Sequence, residues 1–186
     1  MFFQIRTPEI FFALPRSTKP PGCEKIEPRA APGPARHKPF CPKGGIILQP
    51  CRHRVQYYET DRMGVTHHSN YIRWMEEARI DFLSQIGWSY ARLEELGVLS
   101  PVTAVDCRYK ASTTFDDLVS IEVSVLALTN ARLTIGYRMT NAAGAEVCTG
   151  QTEHCFLDRE GHILRLKRDY PAFYELLAGL VAPEKG

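Results

Sequence analysis

A chain of 186 residues, 44% hydrophobic and 24% charged, suits one soluble globular domain with a sizeable core. Its net charge of +2 is unevenly divided: residues 1–50 hold eight Lys/Arg against three acids, and the other 136 hold fifteen against eighteen. A mildly acidic domain behind a basic segment is no nucleic-acid reader by charge, and no run approaches a membrane span, so neither nucleic acid nor membrane is an expected partner.

Residues 1–50 contain ten of the thirteen prolines, in stretches such as Lys19-Pro20-Pro21-Gly22 that lack hydrophobic periodicity. Such a segment buries too little to offset its ordering entropy, so it reads as a disordered extension, with the folded domain at 51–186. Only Gly44 to Leu48 is apolar enough to dock. The apolar start is broken by Arg6, Pro8 and Glu9, which argues against a signal peptide, and the acids and prolines disfavour a transit peptide. The six cysteines show neither C-x-x-C spacing nor scaffold density, and a reducing, cytoplasmic setting is expected.

Arg52 to Tyr58 reads as a strand, with alternate residues on opposite faces. Ser69 or Asn70 is the expected cap of a long helix. Tyr71, Met75, Ala78, Phe82 and Ile86, joined by Ile72, Trp74 and Leu83, recur at helical spacing up to Gly87. So wide an apolar surface predicts a helix wrapped by a sheet rather than lying on one. A short helix over Ser89–Leu96 follows, then strands at Pro101–Lys110, Val119–Leu128, Arg132–Thr140 and Glu146–Leu157. Asn141-Ala142-Ala143-Gly144 turns the last pair, and Pro171 opens a terminal helix through Leu180. One strand, a long helix, then an antiparallel run of strands is an α+β pattern.

The chemistry is concentrated between the first strand and the long helix. Asp61 is a carboxylate just beyond the strand, Gly64 lets the backbone bend closely, and the helix presents unpaired N–H groups at its positive end. A carbonyl held between such a carboxylate and such donors is set up for attack. The plain alternative for Asp61 is a turn carboxylate satisfying backbone amides. Adjacent His67 and His68 with Asp61 do not complete a metal-ligand pattern, so no metal is expected. Glu76 with Arg73 or Arg79 reads as an ordinary helical ion pair. Tyr57 or Tyr58 offers a hydroxyl to the site, or is a packed strand tyrosine. G-x-S-x-G is absent, which rules out Ser69 as a serine nucleophile.

The string Asp61-x-x-Gly64-x-x-x-His68-x-Asn70-Tyr71, followed by Ile72-x-Trp74-x-Glu76-x-Ala78-Arg79, resembles the hotdog-fold acyl-CoA thioesterases, and most the 4-hydroxybenzoyl-CoA thioesterase-like family. The resemblance runs from about Arg52 onward. It implies an antiparallel sheet wrapped around a central helix and hydrolysis of an acyl-CoA to a carboxylic acid and CoA, without cofactor. Asp61 would be nucleophile or general base, and the His68 N–H would bind the carbonyl oxygen, with its imidazole a further proton carrier. Tyr58, Gly64, Asn70 and Thr114 would contact substrate or shape the turn, Thr114 from the loop Ser112–Asp117. Assembly would be a homodimer or homotetramer. The basic cluster that some aryl-CoA members carry near the next hairpin is reduced here to Arg132 in Thr129–Arg132. The hydratases of this fold place a His five residues after the Asp, where this chain has Thr66, with His67 one residue late. A carrier-protein thioesterase and a non-catalytic acyl-CoA-binding module remain the alternatives.

Overall fold

A computed structural model describes residues 48–182, so residues 1–47, including most of the proposed extension, lie outside the described part. Strands β1 (Cys51–Arg54), β2 (Val102–Tyr109), β3 (Leu118–Leu128), β4 (Arg132–Thr140) and β5 (Glu146–Cys155) form one sheet in the order β1-β3-β4-β5-β2. Every neighbouring pair is antiparallel. Helix α1 (Ser69–Gln85) packs against β1, β2 and β3, while α2 (Tyr90–Glu95), α3 (Leu166–Asp169) and α4 (Pro171–Gly179) are shorter. This is the sheet-around-helix, α+β hotdog architecture that the sequence led us to expect.

Helix α1 carries the apolar surface its spacing predicts: Tyr71, Trp74, Met75, Ala78, Phe82 and Leu83 are all buried. Full burial of such large side chains contributes roughly 1.5–3 kcal/mol each, which a helix of marginal intrinsic stability requires. Opposite them, Leu133, Ile135, Tyr137 and Met139 of β4 share the inner face, as their alternation predicts. The sheet packs tightly on the helix at Gly150, where any Cβ would collide with the Met75 methyl. At the near end of the described chain, Leu48 packs on the core, and Gln49 and Gln85 exchange hydrogen bonds at 2.8 and 2.9 Å. The rest of the expected docking segment, Gly44 to Ile47, lies outside the described residues.

Several local expectations are corrected. The first strand stops at Arg54, and Tyr57–Glu59 forms a 3-10 turn in which Tyr57 and Tyr58 are 77% and 80% exposed. A side-chain bond drives that change, because Glu59 Oε2 accepts the Gln56 N–H at 2.7 Å and curls the chain. In β3 a bulge between Val125 and Ala127 breaks the alternation, and Ala127 is exposed while Ile121 and Val125 are buried. The expected Glu76 ion pair is not formed among the described residues. Arg79 is buried and donates to the Tyr90 hydroxyl at 3.1 Å. Helix α3 was not expected, and at four residues it is too short to show a helical period.

Candidate active site

The site grows from a small hairpin between β1 and α1. Thr60 and Thr66 form an antiparallel bridge, Asp61 N–H donates to Val65 O at 2.8 Å, and Gly64 N–H donates to Asp61 O at 3.0 Å. Gly64 closes the turn at φ +75°, a conformation that a Cβ would disfavour. Asp61 is half-buried, and its Oδ1 accepts the Met63 N–H at 2.7 Å. The turn-forming role of this carboxylate is therefore real, but it uses one oxygen. Among the described residues Oδ2 has no hydrogen-bond partner.

The other leg of the hairpin runs into α1 and is pinned on two sides. Thr66 N–H donates to Thr113 O at 2.8 Å, and the Thr113 hydroxyl lies 2.7 Å from that of Thr66 and 3.0 Å from that of Tyr71. His67 N–H and the Asn70 side-chain amide both donate to Glu59 O at 2.8 Å. The helix cap is thus His68, not Ser69 or Asn70. Asn70 lies two positions beyond the cap, and its side-chain amide is committed to the Glu59 carbonyl.

Around the helix start, Asn70 N–H donates to His67 O at 3.0 Å and Ser69 N–H lies 3.4 Å from His67 Nδ1. That leaves the His68 N–H at the positive end of α1 without a protein acceptor among the described residues. The Tyr109 hydroxyl donates to His68 O at 3.1 Å and steadies this peptide from β2. The His68 ring is exposed, and it stacks on His67 at 4.2 Å.

Thr114 is exposed, forms a bridge to Val65 of the hairpin, and gives its N–H to Asp117 Oδ2 at 2.7 Å. Its loop therefore sits beside Asp61. Tyr58 stands out on the 3-10 turn, away from the packing role open to a strand tyrosine.

Two features escape the sequence. The first is Glu59, a carboxylate only 4% exposed whose Oε1 accepts the Trp74 indole N–H at 2.8 Å and whose Oε2 lies 2.9 Å from His53 Nε2. Burial works to raise its pKa, but the Gln56 amide, His53 and Trp74 together hold it below the ordinary value. Nothing in its spacing marks it, since it lies between exposed tyrosines and the motif. The second is a basic cluster. Leu166 N–H donates to Asn130 O at 2.7 Å, so Arg165, Lys167 and Arg168 line a cavity with Asn130 beside the turn that sequence credited with Arg132 alone. By register this is the end of the sheet opposite Asp61.

Residues 55–178 match the model of the thioesterase-like superfamily. The chain belongs to this superfamily. It is 34% identical in sequence to a DHNA-CoA thioesterase from Staphylococcus aureus of known structure, with a TM-score of 0.67 over 70% of this chain and 88% of that one. A Bacillus subtilis (strain 168) protein provisionally named acyl-CoA thioesterase YneP is 31% identical over 106 residues, 57% of this chain and 77% of that one. The acyl-CoA thioester hydrolase YbgC of Escherichia coli O6:H1 is 29% identical over 89 residues, 48% of this chain and 66% of that one. Membership of the thioesterase-like superfamily makes the protein an enzyme of the thioester hydrolase class. Among the described residues no helix is long and apolar enough to cross a membrane.

Proposed function

We propose that this thioesterase-like protein hydrolyses an acyl-CoA thioester to a carboxylic acid and free CoA. The observation that carries the reading is the pairing of a half-buried Asp61 and the His68 N–H at the start of α1 on the two legs of one hairpin, with one Asp61 oxygen and that N–H unpaired among the described residues. The thioesterase names of the relatives above support the acyl-CoA class.

In the reaction, Asp61 either attacks the thioester carbon or takes a proton from a water that attacks it. The carbon–sulfur bond breaks, and CoA leaves as the thiolate and is protonated. If Asp61 attacks, water then cleaves the resulting anhydride and frees the acid. The His68 N–H stabilises the oxygen that gains charge; loss of one such donor typically costs about 2.7–4 kcal/mol of barrier. Gly64 and Asn70 hold the turn, and Tyr58 and Thr114 border the substrate.

The proposed assembly is a homodimer or homotetramer. Its support is β2, an edge strand on which Val102, Val105 and Tyr109 are 48%, 42% and 47% exposed.

The deciding experiment is thiol release from short, long and aromatic acyl-CoAs by the parent and by Asp61→Asn. Hydrolysis that falls by several orders of magnitude in the variant supports class and residue together. A folded parent that turns over no acyl-CoA sinks the reading, and carrier-protein thioesters and non-catalytic acyl-CoA binding are then measured in its place.

A further inference from the structure

Glu59 is the junction between the core and the candidate site. Its carboxylate takes three donors, from Gln56 N at 2.7 Å, Trp74 Nε1 at 2.8 Å and His53 Nε2 at 2.9 Å. Its peptide oxygen takes two more, from His67 N and Asn70 Nδ2, the residues on either side of the His68–Ser69 peptide. Two residues further along the chain stands Asp61. One buried side chain thus sets the position of the peptide from which both legs of the hairpin are measured.

His53 completes the arrangement. Its Nδ1 lies 3.0 Å from Glu77 Oε2, opposite the bond from Nε2 to Glu59, and its ring stacks on Trp74 at 4.5 Å between centroids. An ionised carboxylate only accepts hydrogen bonds, so the Nε2 that faces Glu59 serves it as a donor. Without that donor Glu59 would shift or rotate, carrying the acceptor of His67 and Asn70 with it.

Resting on the thioesterase reading above, we propose that Glu59, held in place by the His53 ring, is a positioning residue that aligns the His68 N–H with Asp61. Neither residue touches the substrate; both act through the peptide of Glu59.

The test is NMR of the nitrogen-15-labelled full chain, paired with acyl-CoA turnover, for the parent, Glu59→Gln, His53→Ala and His53→Gln. His53→Ala withdraws a donor from Glu59, so the His67 and His68 amide signals move from their parental positions and kcat falls. In His53→Gln, a side-chain amide still offers Glu59 one N–H. That variant keeps the two amides near their parental positions and restores most of kcat. Glu59→Gln lowers kcat by about tenfold to a hundredfold, as an ångström-scale misplacement does, with KM changed less than about twofold. Amides that ignore the loss of the His53 ring, or a Glu59→Gln enzyme with parental kcat, overturn the proposal. Should Glu59→Gln fail to fold, the two His53 variants decide by the same two readouts. A parent inactive on every acyl-CoA sinks the thioesterase reading instead, and the amide shifts alone then judge the positioning.

Discussion

Trp74 Nε1 donates to Glu59 Oε1 across 2.8 Å, and both residues are closed to solvent. The contact fastens the second turn of α1 to the turn that leads into the candidate site. Trp74→Phe keeps an aromatic ring but withdraws the donor from a buried charge. We expect a loss of about 1.5–3 kcal/mol in urea unfolding followed by far-ultraviolet circular dichroism. An unchanged midpoint would mean that the indole contributes packing alone.

Acid stability should fall in two stages. His154 is fully buried, with Nε2 2.7 Å from the Thr152 hydroxyl. Burial first, and then the charge of Arg79, pull its pKa down from 6.5 to about 4. Between those values the unfolded chain binds a proton that the native state refuses, so stability declines as pH falls through the window and levels off below it.

Glu59 acts in the next window down. Its native pKa lies below the ordinary 4.5, so its stabilisation is complete above that value and is lost as pH falls through the native one. Urea midpoints measured at a series of pH values separate the two groups. His154→Gln should flatten the upper stage and Glu59→Gln the lower. A parent curve flat from pH 6.5 to 4 would refute the His154 assignment.

Gly150 marks a tight contact between sheet and helix. A Cβ there would lie 2.7 Å from Asp106 O and collide with the Met75 methyl. Met75 is flexible enough to yield, but the backbone of β2 is not. Gly150→Ala should cost about 1–3 kcal/mol by the same urea measurement, and adding Met75→Ala should recover only part of it. Full recovery in the double variant would show that the strand moves freely.

Cys107 and Cys148 bring their sulfurs to 3.5 Å across the β2–β5 pair, although their spacing in sequence suggested nothing. Burial and the neighbouring thiol push Cys148 well above the ordinary thiol range. In the native protein at pH 8, iodoacetamide should leave Cys148 unmodified by peptide mass mapping until denaturant is added. Labelling of Cys148 at the rate of a free thiol would contradict the buried placement.

The elements of this protein were legible where periodicity runs long. The stripe from Tyr71 to Ile86 needs a wrapped helix, and the alternation of Arg132–Thr140 needs a strand with one face inward; neither pattern has another way to hide its apolar side. Asp61, Gly64 and His68 were legible as an ordered string at a strand-to-helix junction. Tertiary structure decided the rest. Tyr57 and Tyr58 left the strand because the Glu59 carboxylate bonded the Gln56 amide, a choice that alternation does not encode. Asn70 left the cap position for the Glu59 carbonyl, and Arg79 exchanged an expected ion pair for Tyr90. His53, Glu59, Trp74 and Glu77 converge from a strand, a turn and a helix, and Arg165 to Arg168 meet Asn130 only when the chain folds back. Apolar periodicity is a property of neighbours along the chain. The satisfaction of a buried carboxylate is a property of whatever the fold places around it, and so Glu59 stayed silent in the sequence.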